Sequence, residues 1–123
     1  MTPDCGNALK RALLRDYAVA LAERNLADML AVVAEDTEWG VVGRWRTRKD
    51  GFESTIDRLL GGEVVSLTLH SVLTHGDDGC VTGVMEMTGG RAIRFCDVYK
   101  FTGHSKTAKL KTITSFVVDP TGI

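Results

Sequence analysis

The apolar positions of the chain change their period about halfway along. From Asn7 to Glu23, Leu9, Leu13, Tyr17, Ala20 and Leu21 recur at three- and four-residue steps, which predicts an amphipathic helix with Asn7 as a cap. Asn25 interrupts the run and caps a second short helix, whose stripe is Leu26, Met29, Leu30 and Val33, with Ala34-Glu35-Asp36 at its end. A short strand follows over Thr37 to Val42. A third helix is expected over Lys49 to Leu60, with Phe52, Ile56, Leu59 and Leu60 on one side and Gly61-Gly62 as its stop. Beyond this point the period is two. Glu63 to His75 alternates with Val65, Leu67, Leu69 and Leu73 on one parity. Gly76-Asp77-Asp78-Gly79 and Thr88-Gly89-Gly90 turn the chain before and after a strand from Cys80 to Met87. Arg91 to Thr102 places Ile93, Phe95, Tyr99 and Phe101 on one face with Asp97 among them. After the turn Gly103-His104-Ser105-Lys106, Ala108 to Val118 forms the last strand, stopped by Asp119-Pro120. Helices followed by long antiparallel strands predict an α+β domain with helices on one face of a curved sheet.

A length of 123 residues fits one domain spanning 1–123, and its 44% hydrophobic and 25% charged residues are those of a packed core with a solvated surface. The net charge of −1 gives no reason to expect a nucleic-acid partner. Arg44, Arg46, Arg48 and Lys49 form a short basic cluster around Trp45, read as a solvated turn before a helix or as a gate for an anionic ligand. No apolar run is long enough to span a bilayer, and the first six residues lack a basic region followed by an apolar stretch. A cytoplasmic protein with no membrane contact is therefore expected. Cys5, Cys80 and Cys96 are odd in number and fit reduced structural thiols. His70, His75 and His104 do not cluster with them, so no metal and no cofactor is expected.

The stretch from Asn25 through Glu35-Asp36 to Trp39 resembles the helix-to-strand signature of nuclear transport factor 2-like, or SnoaL-like, proteins. Asp97-Val98-Tyr99-Lys100-Phe101 is similar to their third long strand, and the order of elements matches over nearly the whole chain. The resemblance implies a cystatin-like cone of three N-terminal helices on a curved, mostly antiparallel sheet enclosing a pocket, and a homodimer formed through the sheet's outer face. Superimposing the ketosteroid isomerase pattern matches Tyr17 and Asp97 to that enzyme's two oxyanion donors, the second of which is a carboxylic acid kept protonated by an apolar site. The general-base position falls near Val41, which accepts no proton.

Tyr17 and Asp97 are thus the candidate catalytic pair, and each also reads as a packed core residue with a satisfied polar group. Trp39, Phe95, Tyr99, Phe116 and Phe52 are candidates for the wall of a site for a small hydrophobic ligand. Glu38, Glu86, His70 and His75 are conceivable substitute bases, each also readable as a surface group. Two functions follow: a small-molecule-binding domain, or a cofactor-free isomerase, lyase or cyclase acting on a small hydrophobic carbonyl compound.

Overall fold

A computed structural model describes residues 7–103, 105 and 107–119; Cys5 and His104 lie outside them. Helix α1 (Asn7–Ala22) and helix α2 (Leu26–Ala31) lead into strand β1 (Val33–Val41) and the short strand β2 (Trp45–Thr47). A single 3-10 turn (Lys49–Gly51) and helix α3 (Phe52–Leu60) follow. Then come β3 (Val64–His75), β4 (Asp78–Met87), β5 (Ala92–Phe101) and β6 (Leu110–Val118). The six strands form one sheet in the order β2-β1-β6-β5-β4-β3. All neighbours are antiparallel except β1 and β6, which run parallel with Trp39 beside Ile113 and Val41 beside Ser115. The fold is α+β with a curved sheet, but the helices are not three in a row before it, because β1 and β2 separate α2 from α3.

Local chemistry sets most boundaries. Asn25 caps α2 by accepting the Asp28 amide at 3.1 Å. Gly61 ends α3 in the left-handed region at φ 65°, where its N–H reaches the Asp57 carbonyl. The expected second helix is shorter than its pattern suggested. Val33 opens β1 instead, because pairing with Leu110 recruits the segment to the sheet. The expected third helix is broken at Gly51, and the basic segment before it adds a strand, β2, to the sheet edge.

The buried stripe of α1 keeps Tyr17, Ala20 and Leu21 of the expected one and departs from it in the first half of the helix. Leu9 is 56% exposed, whereas Leu14, Tyr17, Ala18 and Leu21 are buried, and so is Lys10. Lys10 takes a core position because its ammonium donates to the Gly76 carbonyl at 2.6 Å and the Gly103 carbonyl at 3.0 Å, with the Phe101 ring beneath it. The hydrogen bonds offset the cost of burying the charge and tie α1 to two turns of the sheet.

Parity fails in β3 for a different reason. The register against β4 shifts between Val64 and Ser66 and again between Leu69 and Ser71, so the strand carries two bulges. Each bulge inverts the alternation. Val65 and Leu73 consequently face outward, 68% and 63% exposed, while Leu67 and Leu69 pack against the core. Strand β5 has no bulge against β4, and the expected alternation holds there: Ile93, Phe95, Asp97, Tyr99 and Phe101 are buried. Among the described residues no helix is long and apolar enough to cross a membrane.

Candidate functional site

The inner face of β4, β5 and β6 is roofed at one end by the last turn of α1 and the last turn of α3. A narrow cleft lies between them, with about 20 Å³ open to the centre of a water-sized sphere. Its walls are Leu21, Leu59, Leu60, Met85 and Ile93, with Trp39, Phe95 and Val117. Two polar side chains reach it, Asp97 and Ser115. The open volume is room for about one water molecule, so a ligand enters only if side chains of the wall move aside.

Asp97 and Ser115 are opposite one another in the β5–β6 register, and both point inward. Trp39, on β1, donates its indole N–H to the Ser115 Oγ at 2.9 Å. That bond occupies an acceptor position of the hydroxyl and leaves its proton for the Asp97 carboxylate, to which Ser115 is hydrogen-bonded. Tyr99 adds a longer bond, donating its hydroxyl to Asp97 Oδ2 at 3.3 Å. Three strands therefore hold one carboxyl group.

Burial disfavours the charged form, and the two hydrogen bonds favour it. Burial is the larger effect, so the Asp97 carboxyl is pushed up from 3.8 to about 6. The phenols of Tyr17 and Tyr99 are also raised, by burial first and then by Asp97, and both are neutral near pH 7.

Tyr17 is buried on α1, with its ring edge-on to Tyr99 at 5.9 Å between centroids. Its hydroxyl has no hydrogen-bond partner among the described residues, and Tyr17 does not line the pocket that Asp97 lines. The structure brings Tyr17, Tyr99 and Asp97 into one stack, with Tyr99 as the neighbour in contact with both.

Of the expected wall residues, Trp39 and Phe95 line the pocket. Phe52 is fully buried behind it, 5.1 Å from Trp39 in an edge-on ring contact, and supports that indole. Tyr99 likewise lies behind the wall as the partner of Asp97. Phe116 is a correction: it is 46% exposed on the outer face. The alternation of β6 turns Ile113 and Ser115 inward, so Phe116 must turn out. Ser115 was missed because a lone serine within a strand has no distinctive spacing. Its shared parity with Ile113 and Val117 was the available signal.

Val41 is buried and apolar in the structure, on the strand that carries Trp39. None of the substitute bases lines the pocket. Glu38 pairs with Arg46 at 3.3 Å and Arg48 at 3.5 Å. Glu86 is exposed and accepts from Ser66. His70 and His75 are exposed on β3. Three of the four cations in the basic cluster are paired, Arg46 and Arg48 sharing Glu38 and Lys49 meeting Glu35 at 3.2 Å. Trp45 pins β2 to α3 by donating to Thr55 Oγ1 at 2.9 Å, and the Arg58 guanidinium covers its ring. Among the described residues no group of three or more His, Cys, Asp or Glu side chains is placed to hold a metal ion.

The architecture is a layered α+β domain with a curved six-stranded sheet and a single carboxyl group at an apolar cleft on its inner face. The SnoaL-like domain family matches residues 14–108, and the chain belongs to that family. Solved structures agree on the fold. A Kribbella flavida DSM 17836 protein provisionally assigned as a ketosteroid isomerase aligns over 91% of this chain and 79% of its own, with a TM-score of 0.73 and 18% identity. An NTF-2 like protein of unknown function from Burkholderia xenovorans LB400 aligns over 94% and 88%, with a TM-score of 0.74 and 13% identity. An LEH-like epoxide hydrolase of M. tuberculosis aligns over 91% and 84%, with a TM-score of 0.68 and 13% identity. At these identities the likeness concerns the fold. No curated protein sequence matches significantly.

Proposed function

We propose that this protein binds a small apolar molecule bearing one hydroxyl or carbonyl group, with Asp97 as its polar anchor. The observation that carries this reading is the placement of the Asp97 carboxyl at an apolar pocket, with its other hydrogen bonds supplied by Ser115 and Tyr99. A carboxyl with a value of about 6 is present in both forms near neutrality, so it can donate to a carbonyl or accept from a hydroxyl. Trp39 forms part of the wall and reports on occupancy by its fluorescence.

A second reading is favoured by the same group. A carboxyl poised near the working pH is suited to taking up and returning a proton, so Asp97 itself fills the role for which the Val41 position has no candidate. Cofactor-free isomerase, lyase or cyclase chemistry on a small hydrophobic carbonyl compound fits that use. Solved structures of this fold include proteins described as a ketosteroid isomerase, provisionally, and as an LEH-like epoxide hydrolase, so the fold is compatible with an enzyme.

The test has two stages. A panel of small alicyclic and aromatic ketones and alcohols is titrated against Trp39 emission and melting temperature. Binding that is weakened by the pocket-filling substitution Leu60→Phe supports the first reading, and a panel without effect on either signal defeats it. Binding ketones are then incubated in deuterium oxide. Exchange of the protons next to the carbonyl that disappears in Asp97→Asn supports catalysis, whereas unchanged exchange removes it.

We also infer a homodimer through the outer sheet face. Val98, Phe116 and Val118 are exposed there by 41%, 46% and 60%, which is the apolar surface such a contact would cover. Sedimentation at a single monomer mass across the concentration range would remove this inference.

A further inference from the structure

The outer face of the sheet carries two thiols that the pocket does not use. Cys80 on β4 and Cys96 on β5 are free and half-buried. Cys80 is opposite Val98 and Cys96 is opposite Thr82, so the two cysteines are diagonal neighbours on adjacent strands. Their sulfurs stand 3.8 Å apart.

Diagonal placement works against a disulfide. Diagonal neighbours on antiparallel strands are separated by roughly 7 Å, whereas a relaxed disulfide requires β-carbons about 3.8 Å apart. Closing the bond would shear two interior strands of a six-stranded sheet.

The same separation suits an atom placed between the sulfurs. Two bonds of about 2.3 Å meeting at a tetrahedral angle span about 3.8 Å, the thiolate–thiolate edge of a tetrahedral soft-metal site. We propose that Cys80 and Cys96 form a two-thiolate site for a soft divalent cation of the zinc and cadmium class. Binding forms two metal–sulfur bonds and releases two thiol protons to solvent, with no change of oxidation state. The strand backbones hold both sulfurs at the required spacing, so little ordering accompanies binding. Because no third ligating side chain is placed to complete the set among the described residues, the remaining coordination positions face the sheet's outer surface, to be filled by water in the monomer or by the thiolates of a second copy where that face is paired. A shallow groove lined by Leu73, His75, Gly79 and Val98 gives access on the Cys80 side.

The experiment titrates cadmium chloride into the reduced Cys5→Ser protein, in which Cys80 and Cys96 are the remaining thiols. The expected result is an ultraviolet thiolate-to-cadmium band that saturates at one ion per chain or one per two chains. Zinc should displace the cadmium and remove the band. Both thiols should become protected from a thiol reagent as the band grows, a readout that needs no further substitution. Cys80→Ser and Cys96→Ser, each added separately and checked for an unchanged melting temperature, should lose the band. Absence of the band, its survival in either folded serine variant, or ready closure of a Cys80–Cys96 disulfide in air would overturn the proposal.

Discussion

Replacing Asp97 by Asn should stabilise the protein, and only above a defined pH. In the folded state the carboxyl lies at about 6, against 3.8 when it is free in solution. The folded value is the higher one, so folding favours the protonated form. The stability contributed by Asp97 is fully present below 3.8 and is lost as pH rises through about 6. A difference of this size corresponds to roughly 3 kcal/mol between the two protonation states. Asn is uncharged at every pH, has nearly the same shape, and can accept from Ser115 while offering its amide to Tyr99. The substitution should therefore be close to neutral at about pH 4 and stabilising by up to about 3 kcal/mol at about pH 8. In a domain of this size that is a rise in melting temperature of about 10 °C. Comparing melting curves of the two proteins across the range cancels the contributions of all other carboxylates. A loss of stability that is the same at both ends of the range would refute the reasoning, because it would mean that Ser115 and Tyr99 fully compensate the burial of the charge.

Three further outcomes follow from the same geometry. Ser115→Ala removes a donor that holds the Asp97 carboxyl down, so that carboxyl should move above about 6 in a carbon-13 NMR titration; the orphaned Trp39 indole should also cost about 1–3 kcal/mol in denaturant unfolding. A fall in the Asp97 value would contradict the relay. Tyr17→Phe deletes a buried hydroxyl without a protein partner, so the melting temperature should stay level or rise, by no more than about 1 kcal/mol equivalent; a large drop would show that the hydroxyl is bonded in solution. Lys10→Met strands the Gly76 and Gly103 carbonyls and should destabilise by about 2–4 kcal/mol, with hydrogen exchange accelerating at both turns; unchanged exchange there would dismiss the lysine as the tie between α1 and the sheet.

Much of the architecture was legible because short-range rules govern it. The three- and four-residue recurrence marked α1, Asn25 marked a helix start, Gly61 marked a helix stop, and strict alternation marked the inner face of β5 and placed Asp97 on it. These signals depend on backbone geometry within a few residues, which the amino-acid order carries directly. The family resemblance is borne out by the match over residues 14–108, and the structure adds the short strand β2 to the expected order of elements.

What the order of residues did not carry was the partner of each segment. Two bulges in β3 reversed its parity, and bulges come from pairing with β4 rather than from β3 itself. Lys10 displaced Leu9 from the core because two carbonyls 66 and 93 residues away accept from its ammonium. Phe116 and Ser115 exchanged the roles that hydrophobicity alone would assign, since the β6 register turns the serine toward Asp97. The sequence by itself determined that a carboxyl would be turned into an apolar interior. Only the tertiary structure decided that Ser115 and Trp39 hold it, and that Cys80 and Cys96 lie side by side, because such contacts are made by strands that are distant along the chain and adjacent only in the sheet.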